Sequence, residues 1–325
     1  MKAIYLTHFG IDLFAPNEPE APGIEFVRVD QVAYLAAVVE GCEILVVSGS
    51  RYTPEAAKVL EEKMPDLKWI QSTAIGTDKF TSAGVPEGVL FTNAAGLKGK
   101  SVSEHAFALM LALFRRIPWV ERNRQARDWN RDNIRDMSVS VAGKTVVIIG
   151  YGSIGQEFAR KAKAFDMNVV AVSRKSPDKN DPNVDTYIPL SNLHEALKGA
   201  DVIVPCLPLM DETKNLISDG EIALINKGGV VINIARGAIC DETALISALD
   251  SGQLSGAAID VFEKEDEFEA GASLENEPLW AREDIILTPH AASAGAPIYP
   301  PMRELVFENI RRLQAGEPLK NLYKL

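Results

Sequence analysis

Residues 146–155 read VVIIGYGSIG, and this stretch decides the fold of the central part of the 325-residue chain. Its four leading residues are apolar and β-branched, which predicts a buried strand. Gly150, Gly152 and Gly155 then form the pattern G-x-G-x-x-G, and the sequence that follows, QEFARKAKAF, predicts a helix. In such a unit the first glycine allows a tight turn, the second lets the backbone approach a pyrophosphate, and the third packs the helix on the strand. The stretch therefore predicts a dinucleotide site with its phosphates at the helix N-terminus.

Strand and helix patterns on either side of this stretch predict two domains. Short apolar runs without polar alternation are typical of strands buried in a parallel sheet, and they fall at 145–149, 168–172, 201–206, 229–234, 256–261 and 284–288. A smaller unit precedes them, with strands predicted at Lys2–Leu6, Ile44–Val47, Lys68–Ser72 and 89–92 and a helix at Pro54–Lys63. We expect an α/β fold of two doubly wound parallel-sheet domains. The dinucleotide-binding domain is expected at 100–292 and the second domain at 1–99 plus 293–325, with a last helix at Met302–Gln314.

The strongly apolar segment at residues 101–117 predicts a helix. Ser101 and Glu104 have the spacing of a capping box at its start. We expect Pro118 to bend or end this helix. The next stretch is highly charged, and two tryptophans, Trp119 and Trp129, lie beside or within it. It is either a solvated helix or an arm that contacts another subunit, and the tryptophans favour the arm. We therefore expect a homodimer formed through about residues 101–135.

Composition and charge narrow the range of partners. The net charge of −11 argues against nucleic acid and anionic membranes. Cys42, Cys206 and Cys240 are widely spaced and form no metal-ligand pattern, so we expect no metal and a reducing compartment. The longest apolar run, Ala106–Phe114, is too short to span a bilayer, and the N-terminus lacks the pattern of a signal peptide. We expect a cytoplasmic protein.

Three polar residues, Ser173, Arg174 and Lys175, follow the second strand of the dinucleotide-binding domain. This fold usually carries an acid here, about 20 residues beyond the glycine pattern, which binds the ribose hydroxyls. A hydroxyl and two cations are instead suited to a 2′-phosphate. The alternative is that Arg174 and Lys175 are solvated loop charges. The sequence favours NADP as the preferred cofactor, with NAD as a possible one.

Arg236 and His290 follow later strands of the same sheet, whose carboxyl ends share the edge where ligands bind. Arg236 lies between the apolar run VVINIA and a glycine. A guanidinium there can bind a carboxylate through two parallel hydrogen bonds. His105 lies in an apolar helix and is interpreted as structural, whereas His290 follows the last strand. His290 is therefore the best candidate for a general acid or base.

These motifs resemble those of the D-isomer-specific 2-hydroxyacid dehydrogenase family over nearly the whole chain. The matching segments are GKTVVIIGYGSIG (143–155), PLMDETKNLI (208–217), INIARGAICDETALISAL (232–249), GAAIDVF (256–262), EPLW (277–280), TPHAAS (288–293) and GEPLKNLY (316–323). The resemblance implies a Rossmann cofactor domain inserted in a flavodoxin-like substrate domain, with the active site in the cleft between them. It also implies NAD(P)-dependent reduction of a 2-oxo acid to a D-2-hydroxy acid, in the NADP-leaning branch that resembles glyoxylate/hydroxypyruvate reductases.

The resemblance assigns the catalytic roles to an arginine, a glutamate and a histidine, here Arg236, Glu265 and His290. The family usually has proline after the glutamate, whereas aspartate follows Glu265 in this chain. Because the segment is rich in acids, Glu263 or Glu267 is an alternative partner for His290.

In the cofactor domain, the shared strand edge and the resemblance together predict the binding residues. The cofactor role of Asp260 and the substrate contacts of the first domain are implied by the resemblance alone. Predicted cofactor contacts are Gly150, Gly152, Ser153, Ile154, Gly155, Ser173, Arg174, Lys175, Cys206, Leu207, Pro208, Thr213, Ile234, Ala235, Arg236, Asp260, His290 and Ala292. Predicted substrate contacts are Ile75, Gly76, Asn93, Arg236 and His290. Two other functions stay open: a phosphite-type dehydrogenase on the same scaffold, and a non-catalytic protein that senses NAD(P).

Overall fold

The structure, a computed structural model, describes residues 1–6, 13–174, 181–275, 277–295 and 299–324. The chain divides into two compact units, one of Met1–Lys98 with Ala296–Leu325 and the other of Gly99–Gly295. Lys175, one of the predicted cofactor contacts, lies outside the described residues. Within the described ranges, no helix has both the length and the apolar character that a membrane span needs.

The first unit is built on a parallel sheet that has five strands in the described residues. They are β1 (Lys2–Leu6), β2 (Glu25–Val29), β3 (Cys42–Val47), β4 (Trp69–Ser72) and β5 (Leu90–Thr92). Their order is β2-β1-β3-β4-β5, which is the flavodoxin-like order. The helices that follow these strands are α1 (Val32–Leu35), α2 (Pro54–Lys63) and α3 (Asp78–Ala83). Helix α2 begins as its sequence predicts, because the Thr53 hydroxyl accepts the Ala56 N–H at 3.3 Å and proline occupies the first turn.

The second unit carries a parallel sheet with seven strands in the described residues. They are β6 (Thr145–Ile149), β7 (Asn168–Ser173), β8 (Thr186–Pro189), β9 (Val202–Pro205), β10 (Gly229–Asn233), β11 (Leu254–Ile259) and β12 (Ile285–Leu287), in the order β12-β11-β10-β9-β6-β7-β8. This is the Rossmann order with one additional edge strand. The helices are α4 (Gly99–Phe114), α5 (Ile117–Ala126), α6 (Arg131–Met137), α7 (Ser153–Ala164), α8 (Leu193–Leu197), α9 (Asp219–Ile222), α10 (Glu242–Asp250) and α11 (Glu265–Glu269). Two buried clusters, one on each face, hold the helices to the sheet.

The last helix, α12 (Tyr299–Ala315), belongs to the first unit. Its apolar side, which includes Met302, Val306 and Ile310, packs in one cluster with Tyr5 and Trp69 of the sheet. The sheet is therefore covered on both faces, since a separate cluster joins its other face to α2. The prediction of two parallel-sheet α/β domains is confirmed.

The start of helix α4 differs from the sequence prediction. The predicted capping box at residue 101 is wrong, because α4 already begins at Gly99 and Ser101 lies inside it. The Ser101 hydroxyl donates instead to the Ala292 carbonyl at 3.3 Å. Pro118 does not end α4 as predicted. The break comes at Arg116, which has a left-handed conformation with φ 56°, and Pro118 lies in the first turn of α5.

Candidate active site

The glycine loop between β6 and α7 has the geometry of a pyrophosphate cradle. Gly150 has φ 104°, and a Cβ atom there would lie 2.5 Å from the Cys206 carbonyl oxygen. A Cβ at Gly155 would lie 2.3 Å from the Gly150 carbonyl oxygen, so only glycine lets α7 approach β6 this closely. At Gly152 nothing lies within 4 Å of the added atom, which leaves the backbone open to a ligand. These residues fit a dinucleotide phosphate at the N-terminus of α7.

Asp260, which directly follows β11, is a buried carboxylate that binds the segment carrying His290, residues 288–292. Its side chain is 1% exposed and accepts the Thr288 hydroxyl at 2.5 Å, the Ala291 N–H at 2.8 Å and the Ala292 N–H at 3.0 Å. Its backbone carbonyl accepts the His290 N–H at 2.8 Å. A buried carboxylate needs such donors, since an unpaired charge in the interior is very costly. The segment that follows β12 is therefore held by hydrogen bonds to this one carboxylate.

His290 pairs with Glu265 at the carboxyl edge of this sheet. The His290 Nδ1 atom is hydrogen-bonded to a Glu265 carboxylate oxygen, which leaves Nε2 as the other ring nitrogen. His290 has φ 48°, a left-handed conformation that costs a non-glycine residue about 1–3 kcal/mol and that the surrounding bonds must hold. Glu265 is the first residue of α11, and no hydrogen bond of His290 to the two alternative acids, Glu263 and Glu267, is present in the described residues.

The pKa of His290 is raised above the ordinary value for histidine. The hydrogen bond that the ring donates to the Glu265 carboxylate is the main cause, while burial of the ring opposes it. The Glu265 and Asp260 charges also raise this pKa, whereas the charge of Arg236 lowers it. Glu265 therefore favours the protonated ring, which is the form that can donate a proton.

Arg236 follows β10 in a turn that several bonds fix. The Asn233 amide donates to the Arg236 carbonyl at 2.9 Å and accepts the Ala235 N–H at 3.1 Å, while Arg236 Nη1 donates to the Ala235 carbonyl at 2.6 Å. A Cβ at Gly237 would lie 2.1 Å from the Phe262 carbonyl carbon, so glycine is required where this turn meets the segment that follows β11. Arg236 and His290 follow β10 and β12, two strands of the same parallel sheet.

Comparisons with known proteins agree with this geometry. The sequence profile "D-isomer specific 2-hydroxyacid dehydrogenase, NAD binding domain" matches residues 107–292. Glyoxylate reductase from Thermococcus litoralis is 32% identical over 315 residues, which are 94% of this chain and 88% of the relative. The chain belongs to the D-isomer specific 2-hydroxyacid dehydrogenase family. It is an NAD(P)-dependent oxidoreductase, as the resemblance in its motifs predicted.

Two solved structures share the fold of this chain. A family member from Aeromonas salmonicida subsp. salmonicida has a TM-score of 0.80 at 27% identity, with 99% of each chain covered. The NADPH-dependent glyoxylate/hydroxypyruvate reductase of Sinorhizobium meliloti, in complex with NADP and sulfate, has a TM-score of 0.81 at 25% identity, with 99% of this chain and 98% of that one covered.

In this dehydrogenase Asp181, which lies in the segment before β8, is a group that sequence reasoning missed. Asp181 accepts the hydroxyl of Tyr151, a residue of the glycine loop, at 2.6 Å. Burial works against ionisation of Asp181, but the bonds from Tyr151 and Asn183 outweigh it and hold the pKa of this carboxyl below its usual range. The Ser173 carbonyl accepts the Tyr187 hydroxyl at 2.7 Å, and Arg174 is exposed. No motif in the sequence singled out Asp181.

The structure also places the remaining predicted contacts. Cys206, Leu207 and Pro208 follow β9, and the buried Thr213 donates its hydroxyl to the Pro208 carbonyl at 2.8 Å. Ile234 and Ala235 follow β10, while Ile154 lies in the first turn of α7 next to Ser153. In the first unit, the Asn93 amide donates to the Ile75 carbonyl at 2.9 Å, which brings two of the three predicted substrate contacts of that unit together, with Gly76 adjacent in sequence.

Glu242 binds the backbone of the loop that leads to Glu265. Its carboxylate accepts the Glu263 N–H at 3.1 Å. Burial raises the pKa of Glu242, and the nearby charges of Glu263 and Glu277 raise it further. Sequence reasoning missed Glu242, because its partner Glu263 lies 21 residues away in the chain.

Substitutions in the glycine loop separate packing from ligand binding. We expect Gly155→Ala to lower the Tm by the equivalent of about 1–3 kcal/mol, because the new Cβ overlaps a backbone oxygen. The matched variant Gly152→Ala should keep the Tm near that of the wild type, since its Cβ meets no protein atom. It should still weaken NADPH binding, because the added methyl group would occupy space at the proposed phosphate site. Thermal unfolding and fluorescence titration with NADPH measure the two effects. Equal Tm values for the two variants would contradict this assignment.

Proposed function

We propose that this protein reduces a 2-oxo acid to a D-2-hydroxy acid, and catalyses the reverse reaction, with NADP(H) as the preferred cofactor. The observation that carries the proposal is the His290–Glu265 pair, held after β12 in the same unit as the open glycine loop and Arg236. A protonated histidine, a guanidinium and a dinucleotide loop are the parts that hydride reduction of an oxo acid requires.

The mechanism assigns one step to each side chain. When bound, the nicotinamide supplies a hydride to the carbonyl carbon of the substrate. Arg236 binds the carboxylate of the acid, and its positive charge stabilises negative charge that develops on the carbonyl oxygen. His290 donates its Nε2 proton to that oxygen, while Glu265 holds the ring through Nδ1 and favours its protonated form.

The cofactor and substrate contacts are part of the same proposal. In the second unit we assign cofactor binding to the glycine loop, to the ends of β7, β9 and β10, and to Asp260 and Ala292. In the first unit we assign substrate binding to Ile75, Gly76 and Asn93. Among substrates, glyoxylate and hydroxypyruvate are favoured. The similar protein from Thermococcus litoralis is named as a glyoxylate reductase, and that from Sinorhizobium meliloti as a glyoxylate/hydroxypyruvate reductase.

The proposed preference for NADPH rests on Ser173, Arg174 and Lys175, a hydroxyl and two cations where an acid is usual. We expect Arg174→Ala to raise the KM for NADPH about tenfold, the loss of one charge-assisted hydrogen bond, and to leave the KM for NADH nearly unchanged. Steady-state kinetics with both cofactors measure this. Arg311→Ala, which removes an exposed arginine of α12, is the control. A similar rise for NADPH and NADH would rule out a contact to the 2′-phosphate.

The pH dependence of reduction should report the His290–Glu265 pair. Because the proton donor must be charged and its pKa is raised, the rate of reduction is full at low pH and falls as the pH rises through that pKa. We expect Glu265→Gln to lower the pKa and to move this limb of the kcat/KM profile to lower pH. Glu267→Gln should keep the wild-type profile. If Glu267→Gln moves the limb and Glu265→Gln does not, the pairing is wrong.

We also propose a cytoplasmic homodimer that contacts its partner through about residues 101–135. Trp129 is 87% exposed and Ile117 is 54% exposed, which is unusual for side chains of this size in a monomer. The net charge of −11 is unfavourable for nucleic acid or anionic membranes as partners. Sedimentation of the wild type and of Trp129→Ser tests the interface.

The reaction itself is tested by following the loss of NADPH absorbance with a panel of 2-oxo acids. The panel runs from glyoxylate and hydroxypyruvate to branched and aromatic examples. The proposal predicts turnover with at least one acid and a lower KM for NADPH than for NADH. Measurable NADPH binding without turnover of any acid would contradict it, and phosphite oxidation would then be assayed.

A further inference from the structure

His105 reaches the buried carboxylate behind His290 through a single hydroxyl. It lies on α4, and its side chain is 25% exposed. Its Nε2 atom is 3.0 Å from the Thr288 hydroxyl oxygen and 3.5 Å from Asp260 Oδ1. The Thr288 hydroxyl is itself 2.5 Å from Asp260 Oδ1. The three side chains therefore form a continuous chain from α4 to the carboxylate that binds the His290 segment.

Proton counting fixes the direction of these bonds. An ionised carboxylate only accepts hydrogen bonds, so the single hydroxyl proton of Thr288 must point at Asp260. The Thr288 oxygen can then only accept from His105, and Nε2 of His105 must carry a proton. His105 thus donates into the chain, which distinguishes it from a histidine that merely fills an apolar core.

Asp260 in turn holds the residues on both sides of His290. Thr288 precedes His290, and Ala291 and Ala292 follow it; all three donate to the Asp260 carboxylate. The His290 N–H donates to the Asp260 carbonyl. These four bonds surround the one residue of the segment with a left-handed backbone, φ 48°, a conformation that surrounding structure must impose.

Helix α4 is attached to this segment a second time. The Ser101 hydroxyl donates to the Ala292 carbonyl at 3.3 Å, one turn before His105. At the start of the same helix, a Cβ on Gly99 would lie 2.9 Å from the Ser153 carbonyl oxygen of the glycine loop. One helix therefore contacts both the proposed phosphate cradle and the segment that carries the proposed proton donor.

We propose that His105 and Thr288 are positioning residues, which fix the Asp260 carboxylate so that His290 keeps the left-handed conformation that directs Nδ1 to Glu265. The catalytic consequence rests on the proposed function, but the positioning of His290 does not. Neither His105 nor Thr288 contacts the reacting atoms in this proposal; both act through Asp260.

The free protein provides the first test, because the chain has only four histidines whose imidazole signals NMR can follow. We expect Thr288→Val, which keeps the shape of the side chain and removes its hydroxyl, to weaken the pairing of His290 with Glu265. The titration midpoint of His290 should then fall from its raised position towards that of an ordinary histidine. Thr288→Ser, which restores the hydroxyl, should restore the midpoint. The surface pair His194–Glu221, at 2.7 Å, is the internal control and should titrate alike in all variants.

The second test uses His105. We expect His105→Leu to have the same effect on His290 as Thr288→Val, and His105→Gln, whose amide can place an N–H near the position of Nε2, to preserve much of the wild-type behaviour. The double variant His105→Leu/Thr288→Val should be no worse than the more severe single variant, since both interrupt one chain of bonds. For turnover, Thr288→Val should lower kcat about a hundredfold through misplacement of His290, with a much smaller change in the Kd for NADPH.

The outcomes separate the two proposals. If the Tm falls in Thr288→Val and His105→Leu while the His290 titration and kcat stay at wild-type values, the network is only structural and the inference is overturned. Equal losses in Thr288→Ser and Thr288→Val would overturn it as well. If the wild type reduces no 2-oxo acid, the proposed function fails, and the titration of the free protein still decides whether His105 and Thr288 position His290.

Discussion

Replacing His290 with alanine should remove nearly all turnover while NADPH binding remains. His290 is the proposed source of the proton that the carbonyl oxygen receives, and a positioned general acid typically contributes about 10²–10⁴-fold to the rate. Its ring is paired with Glu265 and is 47% exposed, so it supports no part of the core whose loss would unfold the protein. We therefore expect kcat for reduction to fall by about this factor.

Single-turnover kinetics and fluorescence titration with NADPH measure the two quantities separately. The matched control is His194→Ala, because His194 also bonds a carboxylate, that of Glu221, but on the surface of the same unit with its side chain 67% exposed. It should retain wild-type kcat. A His290→Ala protein that is folded but has lost NADPH binding, or that retains its kcat, would contradict the assigned role.

Replacing Arg236 with lysine should cost about 10²–10³-fold in kcat, although the positive charge is kept. Only the planar guanidinium presents two parallel N–H donors to a carboxylate or to a carboxylate and a carbonyl oxygen, whereas lysine is a point charge. The turn that carries Arg236 is fixed by Asn233 and by the close approach at Gly237, so lysine cannot recover the geometry through a backbone shift.

The measurement for Arg236→Lys is kcat and KM for the oxo acid at saturating NADPH, with the Tm as a check of folding. Arg160→Lys is the control, since Arg160 pairs with Glu157 on the exposed side of α7. An increase in KM alone, with unchanged kcat, would mean that Arg236 binds ground state and transition state equally well and does not stabilise the developing charge.

Much of this architecture follows from local sequence. Residues 146–155 predict strand, turn and helix, and these appear as β6, the glycine loop and α7. The buried central strands were also predicted, because continuous runs of Val and Ile leave few alternatives. The strands that the sequence did not reveal, β2 and β8, both lie at the edge of a sheet. Edge strands are only partly buried, so EFVRV and TYIP carry polar residues that hide the pattern.

The site was only partly predictable, because its geometry depends on contacts between distant segments. That Arg236 and His290 lie at the same edge of the sheet was predictable, because both follow parallel strands. The resemblance assigned Glu265 as the partner of His290 and left Glu263 and Glu267 as alternatives. In the structure the bond is made by Glu265, the first residue of α11. The bond between His105 and Thr288 joins residues 183 positions apart, which no local pattern reveals.

The central claim is most directly tested by identifying the product of the wild-type reaction. Purified protein is incubated with NADPH and either pyruvate or hydroxypyruvate, and the hydroxy acid formed is resolved by chiral chromatography and compared with the NADPH consumed. The account predicts the D-2-hydroxy acid in amounts equal to the oxidised NADPH. NADPH that binds and is consumed with no hydroxy acid, or an L product, would contradict it.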